Sequence, residues 1–309
     1  MKENNLIVIE GPTAVGKTAV GVLLAQKLVC PIISADSRQF YREMKIGTAA
    51  PTSKELALVK HYFIGHKSVT EEYNISCFEN DVISLLPQLF KINPTVIMVG
   101  GSGLYIDAIC NGIDDMPNTD PVIRQYFNDL YNTEGIEPLQ KKLFELDPEY
   151  YRIVDLKNPV RLKRAIEVSI QTGKPYSQLR LNSKKERSFN IAKIGISRDR
   201  QELISRIDIR VDKMMELGQL EEVYSLLPFR DYNALNTVGY KELFCYVDGK
   251  CSIDQAIKDI KTNTHRYAKR QMTWFKKDTQ IIWYHPDDFL LKLNSPDFSI
   301  KRDLFPITK

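Results

Sequence analysis

Apolar positions along the chain follow two different periods. Residues 6–10 (LIVIE) form a short β-branched run that stops at Gly11, the pattern of a strand buried in a parallel sheet. Over residues 18–28, Val20, Val22, Leu23, Leu24 and Leu28 recur at helical spacing with no internal proline. Residues 31–35 (PIISA) predict a second strand that delivers Asp36 at its carboxyl end, and residues 94–99 (PTVIMV) a third, stopped by Gly100 and Gly101. Strands alternating with helices in this order predict βαβ units and a parallel sheet.

The pattern changes after residues 114–117 (DDMP). From about residue 121 to 187 the period is helical, with segments at 121–131, 138–146 and 159–172 and no convincing strand between them. Strand character returns at 190–197 (NIAKIGIS), helices follow, and 280–284 (QIIWY) predicts a last strand. The expected fold class is α/β, with a parallel-sheet core and carboxyl-terminal helices over residues 1–115 and 190–309. An all-helical domain is expected to interrupt it at 116–189.

Composition narrows this only slightly. The chain has 309 residues, 43% hydrophobic and 27% charged, which is ordinary for a soluble protein with a full core and a subsidiary lobe. The first residues lack the apolar core of a signal peptide, and no apolar run is long enough to cross a bilayer. Five cysteines are scattered with no C-x-x-C pair, against a disulfide framework or zinc cluster, so a cytoplasmic location with reduced thiols and no membrane partner is expected. A net charge of +4 does not announce a polyanion partner, so the distribution of charge must decide.

Residues Gly11, Pro12, Thr13, Ala14, Val15, Gly16, Lys17 and Thr18 match G-x-x-x-x-G-K-[ST] between a strand and a helix, the context that a P-loop requires. In that cradle, backbone N–H groups and the helix amino terminus face phosphate oxygens, Lys17 bridges the terminal phosphates, and the Thr18 hydroxyl can ligate Mg2+. The core is thus P-loop NTPase-like. A nucleotide-hydrolysing enzyme usually carries an acid at the end of such a third strand, whereas here Gly100, Gly101, Ser102 and Gly103 follow. A glycine-rich turn with a serine suits a second close contact with substrate, and it also suits an ordinary tight turn. Asp36 can accept a proton from an attacking amine or bind magnesium, while an Asp-Ser pair after a strand is equally a common helix cap.

These motifs are joined by Asp36-Ser37-x-Gln39-x-Tyr41, Met44-x-Ile46-Gly47-Thr48-Ala49, Gly239-Tyr240-Lys241-Glu242 and Lys269-Arg270-Gln271-x-Thr273-Trp274-Phe275. The set resembles the bacterial tRNA dimethylallyltransferase family, also called tRNA isopentenyltransferases, in order from Gly11 to Lys276. The resemblance implies that the cradle at Gly11 to Thr18 holds dimethylallyl diphosphate and that a helical insertion closes over the anticodon arm of tRNA. Its product would be an adenosine prenylated at N6 just 3′ of the anticodon. It implies Asp36 as general base, with Lys17, Thr18, Ser102, Arg124 and Arg210 as further catalytic groups and Mg2+ held through Thr18. Ser102 stands where the family more often has threonine; both offer a hydroxyl. For Arg124 and Arg210 taken without the family, a solvated helix charge is the commoner reading.

Contacts to tRNA are implied at Asp36, Ser37, Arg38 and Gln39; at Val160, Arg161, Leu162, Lys163 and Arg164; and at Asn236, Thr237, Val238, Gly239, Tyr240 and Lys241. A last group comprises Lys269, Arg270, Gln271, Met272, Thr273, Trp274, Phe275 and Lys276. Residues 265–277 mix cations and aromatics without one acid, so cations can neutralise phosphates while rings stack on splayed bases. Read alone, the same stretch also suits a helix with buried rings and wet lysines. The chain is expected to act as a monomer on tRNA and dimethylallyl diphosphate. Three rivals are a small-molecule kinase, which shares the strand, P-loop and helix; a prenyltransferase of free adenine nucleotides; and an RNA-binding scaffold with a vestigial P-loop.

Overall fold

The structure of the protein, a computed structural model, describes residues 3–181 and 183–305. The chain separates into two compact units, Met1–Cys110 with Arg187–Lys309, and Asn111–Glu186. The larger is α/β and the smaller is helical throughout its described residues.

In the larger unit, β1 (Asn5–Glu10), β2 (Ile32–Ala35), β3 (His61–Tyr62), β4 (Thr95–Gly100), β5 (Asn190–Ile196) and β6 (Ile282–Tyr284) form one parallel sheet in the order β3-β2-β4-β1-β5-β6. Both faces are covered, which is why β1 is apolar almost throughout rather than alternating. Leu6 and Val8 pack with Val96 and Met98 into one buried cluster, while Ile7 and Ile9 pack with Ile97, Val99 and Ile194 into another. The strand β3 has only two residues, too few to leave a period in the sequence, and the periodicity reading did not include it.

Strand order positions the functional edge. The chain leaving β1 passes over β4 to reach β2, so the end of β4 lies between the ends of the other two. Register puts Glu10 opposite Gly100, and Gly100 opposite Ala35. Gly11, Gly101 and Asp36 therefore leave the sheet at one level along its carboxyl edge, at the kind of crossover where open α/β sheets gather ligands.

The smaller unit contains helices Pro121–Glu134, Glu137–Leu146, Pro148–Ile153, Pro159–Thr172 and Tyr176–Leu179. Asp120, Asp147 and Asn158 each accept backbone N–H groups at a helix start that has proline in its first turn. Phe127, Leu139, Leu143, Leu162 and Ile166 form its core. At its base the Lys185 N–H donates to the Asn111 carbonyl at 2.7 Å, and Lys185 pairs with Asp115 at 2.9 Å.

Candidate active site

The cradle begins where β1 ends. Gly16 has φ +107°, a left-handed conformation that only glycine adopts freely, and it opens helix Lys17–Leu28 without a side-chain cap. Its backbone N–H groups are thus left for an anion. The Lys17 ammonium turns back to donate to the Pro12 carbonyl at 2.7 Å. Three arginines from one stretch bond to the loop. Arg198 donates to the Val15 carbonyl at 3.0 Å, Arg206 to the Ala14 carbonyl at 2.9 Å, and Arg210 to the Thr13 hydroxyl at 3.3 Å.

Charge inside the cradle is strongly coupled. Desolvation pushes the Lys17 ammonium down to about 7; Asp36 pulls it back up and Arg210 presses it further down. Desolvation also lowers Arg210, again opposed by Asp36. An arginine nevertheless stays charged at neutral pH. Two cations thus share one carboxylate in a desolvated pocket, a balance that favours binding a polyanion.

Asp36 does not cap a helix. Its carboxylate accepts from the Arg38 N–H at 3.0 Å within a run of turns, which removes the helix-cap reading. Beside it, Ser102 of the second turn accepts from the Ser37 N–H at 3.0 Å and donates to the Ser37 hydroxyl at 3.2 Å. Tyr267 of helix Ile253–Phe275 is hydrogen-bonded to Ser102, and burial, reinforced by Asp36, raises its phenol above the ordinary range. It stays protonated at neutral pH. The same helix supplies Trp274, whose ring N–H donates to Asp107 at 2.9 Å.

Against this geometry, comparisons with known proteins agree. The IPP transferase family matches residues 39–278. The chain is 52% identical to tRNA dimethylallyltransferase 2 of Parabacteroides distasonis over 92% of this chain and 95% of that one. It is 50% identical to tRNA dimethylallyltransferase 1 of Bacteroides fragilis, covering 93% and 95%. The solved tRNA isopentenylpyrophosphate transferase of Bacillus halodurans superposes with a TM-score of 0.68 at 33% identity, covering 94% of each chain.

The chain belongs to the IPP transferase family.

The structure distributes the family's implied tRNA-contact residues between surface and interior. Val160, Arg161, Asn236, Lys241, Lys269, Arg270, Thr273, Trp274 and Lys276 are exposed. Leu162, Tyr240 and Phe275 are core side chains, and Gln271 is buried. Their burial stabilises the helices that present the exposed neighbours. Arg38 donates to the carbonyls of Asn233 and Ala234 at 3.0 and 3.1 Å, and Gln39 donates to those of Thr48 and Ala49 at 3.3 Å. Both tie loops together. Lys163 donates to Asn128 at 2.5 Å and Arg164 to Thr119 at 2.7 Å, so Arg161 is the exposed cation of that trio. Arg124 donates to Thr119 at 2.7 Å and lies 3.6 Å from the buried Glu167. Lys269 and Lys276, with Arg198, Arg200 and Arg266, line a groove of about 450 Å³ that also touches Pro12, Leu203, Ile207 and Met272.

Arg198, Arg206 and Glu222 escaped the sequence reading. Arg206 could have been found, since it precedes Arg210 by one helical turn in the same segment. Glu222 left no local signal. Its carboxylate accepts from the N–H groups of Lys45, Ile46 and Gly47 at 2.8, 2.8 and 2.9 Å and from the Tyr240 hydroxyl at 2.6 Å. That single acid joins two family motifs nearly 200 residues apart, and through the Thr48 and Ala49 carbonyls it steadies Gln39.

Magnesium fits the donor set. Thr18 and Asp36 offer hard oxygens, and among the described residues no cluster of three or more acids, histidines or cysteines forms a closed metal cage. Magnesium bound with phosphate commonly takes one or two protein oxygens and completes its shell from phosphate and water. No helix among the described residues is long and apolar enough to cross a membrane.

Proposed function

We propose that this chain transfers a dimethylallyl group from dimethylallyl diphosphate to N6 of the adenosine just 3′ of the anticodon of tRNA, releasing diphosphate. The observation that carries the reading is the pairing, on one sheet edge, of a cationic phosphate cradle with an uncapped carboxylate, Asp36, electrostatically coupled to Lys17 and Arg210. Family membership and the names of relatives about 50% identical over most of the chain supply the substrate classes.

The chemistry follows from that arrangement. The lone pair of N6 forms a bond to the allylic carbon, the carbon–oxygen bond breaks, and its electron pair leaves with the diphosphate. The N6 proton passes to Asp36. Negative charge builds on the departing oxygen, so Lys17 and Arg210 stabilise the transition state more than the ground state. Thr18 would hold magnesium, which would supply further charge neutralisation at the diphosphate. The Ser102 and Tyr267 hydroxyls orient the attacking base beside Asp36, and closure around the allyl group excludes water from the carbon. The exposed Lys269, Arg270 and Lys276 bind the RNA backbone. Such an enzyme works in the cytoplasm, where tRNA is, and a monomer suffices because the cradle and base come from one chain.

Purified protein incubated with magnesium, labelled dimethylallyl diphosphate and either unmodified tRNA or free AMP and ATP tests the reading. Label appearing on tRNA alone is the expected result. Label on the free nucleotides selects a nucleotide prenyltransferase instead, and phosphoryl transfer from ATP selects a kinase.

A further inference from the structure

We infer that Gln271 is a positioning residue of the donor site, fixing the cradle against the second glycine turn, and that its contribution to the reaction is not an RNA contact. The inference rests on the reading that the cradle holds the donor diphosphate.

Helix Ile253–Phe275 has two functional faces. Tyr267, Gln271 and Trp274 are spaced i, i+4 and i+7 and bond to Ser102, Gly101 and Asp107, Trp274 with part of its surface in solvent, whereas Lys269, Arg270 and Thr273 are exposed to solvent. Sequence alone places all of them in one basic-aromatic patch.

Gln271 is only 6% exposed, and its one amide makes two bonds to two different loops. The side-chain oxygen accepts from the Thr13 N–H at 2.8 Å, and the side-chain nitrogen donates to the Gly101 carbonyl at 2.8 Å. A Cβ on Gly101 would lie 2.4 Å from that nitrogen, so glycine at this position is what lets the amide enter. Only a neutral amide of this length offers one acceptor and one donor in the required directions. The bridge withdraws the Thr13 N–H from the cradle and leaves the Thr13 hydroxyl to Arg210. It also sets the distance from the cradle to Ser102, one residue beyond Gly101, and hence from leaving group to base. A small displacement there is costly, because reacting atoms must be held near contact distance.

The test uses the full chain with Gln271→Glu, Gln271→Asn and Gln271→Leu. Binding of inorganic diphosphate with magnesium is measured by calorimetry, steady-state kinetics by varying each substrate, and tRNA affinity at several salt concentrations. Gln271→Glu keeps the size and the acceptor but loses the donor to Gly101, and Gln271→Asn keeps the amide but shortens its reach. The expected result is a fall of at least tenfold in diphosphate affinity and in kcat/KM for the donor, with tRNA affinity and its salt slope within twofold of wild type. Weaker tRNA binding with an unchanged donor site overturns the inference, and so do equal losses in both, which mark a merely structural role. Should Gln271→Leu not fold, the other two variants decide. A wild-type protein that binds no diphosphate sinks the reading of the cradle itself, whereas wild type and all three variants binding equally well sinks the role of Gln271 alone.

Discussion

Two glycine-rich turns leave the sheet at the same level, residues 11–18 after β1 and residues 100–103 after β4, and they acquire opposite surroundings. The first is ringed by cations: Lys17 within it, and Arg198, Arg206 and Arg210 bonded to its carbonyls and hydroxyl. The second is surrounded by neutral groups, the Ser37 backbone, the Tyr267 phenol, the Gln271 amide and the Trp274 indole, with Asp36 beside it. One backbone solution thus serves two chemical ends. On the proposed reading, a leaving group that gains negative charge belongs at the first turn and a nucleophile that loses a proton at the second, so the bond exchanged lies between them.

Removing the base breaks the comparison most severely. Asp36→Ala is expected to lower kcat by roughly 10² to 10⁴-fold, the range for a lost general base, while tRNA affinity changes little. Activity equal to wild type in single-turnover assays would show that the proton leaves by another route. A smaller effect is expected on the cationic side. Arg210→Ala removes one charged contact to the donor, about 1.5–3 kcal/mol, which is roughly a ten- to hundredfold rise in KM for dimethylallyl diphosphate. It also relieves the pressure that lowers Lys17. The decline in donor binding with rising pH, set by Lys17 near 7 in wild type, should therefore move to higher pH. A profile that stays in place means the two cations do not sense each other.

Smaller still is the effect on the solvent face of helix Ile253–Phe275. Lys269→Ala and Arg270→Ala should each weaken tRNA binding at low salt and flatten the salt dependence by about one unit of slope, leaving inorganic diphosphate binding intact. An unchanged slope for both places the RNA elsewhere.

These expectations also separate what the sequence makes visible from what only folding creates. The loop of the cradle is legible because phosphate binding needs contiguous backbone N–H groups within residues 11–18, whereas Arg198, Arg206, Arg210 and Gln271 join it only through folding. Asp36 is legible as the residue ending a strand, but its strand's place beside β4 is not, since strand order is a long-range property. Helix Ile253–Phe275 is half legible. Its composition shows cations and rings, yet the assignment of Tyr267, Gln271 and Trp274 to the catalytic side follows only once the helix is laid against the two turns. The bonds from Glu222 to residues 45–47 span the chain and have no local signature at all.

The same contrast between the turns extends one residue back into β1. Glu10 precedes the cradle, is only 3% exposed, and lies among Lys193, Asp278 and Asp107. Burial raises its carboxyl to about 8, against the opposing pull of Lys193, which itself pairs with Asp278 at 2.5 Å. One Glu10 oxygen finds no hydrogen-bond partner among the described residues. A carboxyl raised in the folded state binds more protons there than when unfolded, so its contribution to stability is fully present below 4.5 and is lost as pH rises through about 8. Gln mimics the protonated form. Gln at this position should match wild type near pH 5 and exceed it at pH 9, by on the order of a few kcal/mol, read as a higher Tm for the sheet-containing unit. Activity should change least of all the variants considered, because the charged groups that Glu10 senses are Lys193, Asp278 and Asp107 and none of the cradle's cations. Parallel pH dependences for Glu10→Gln and wild type would mean that Lys193 holds Glu10 ionised while also pairing with Asp278.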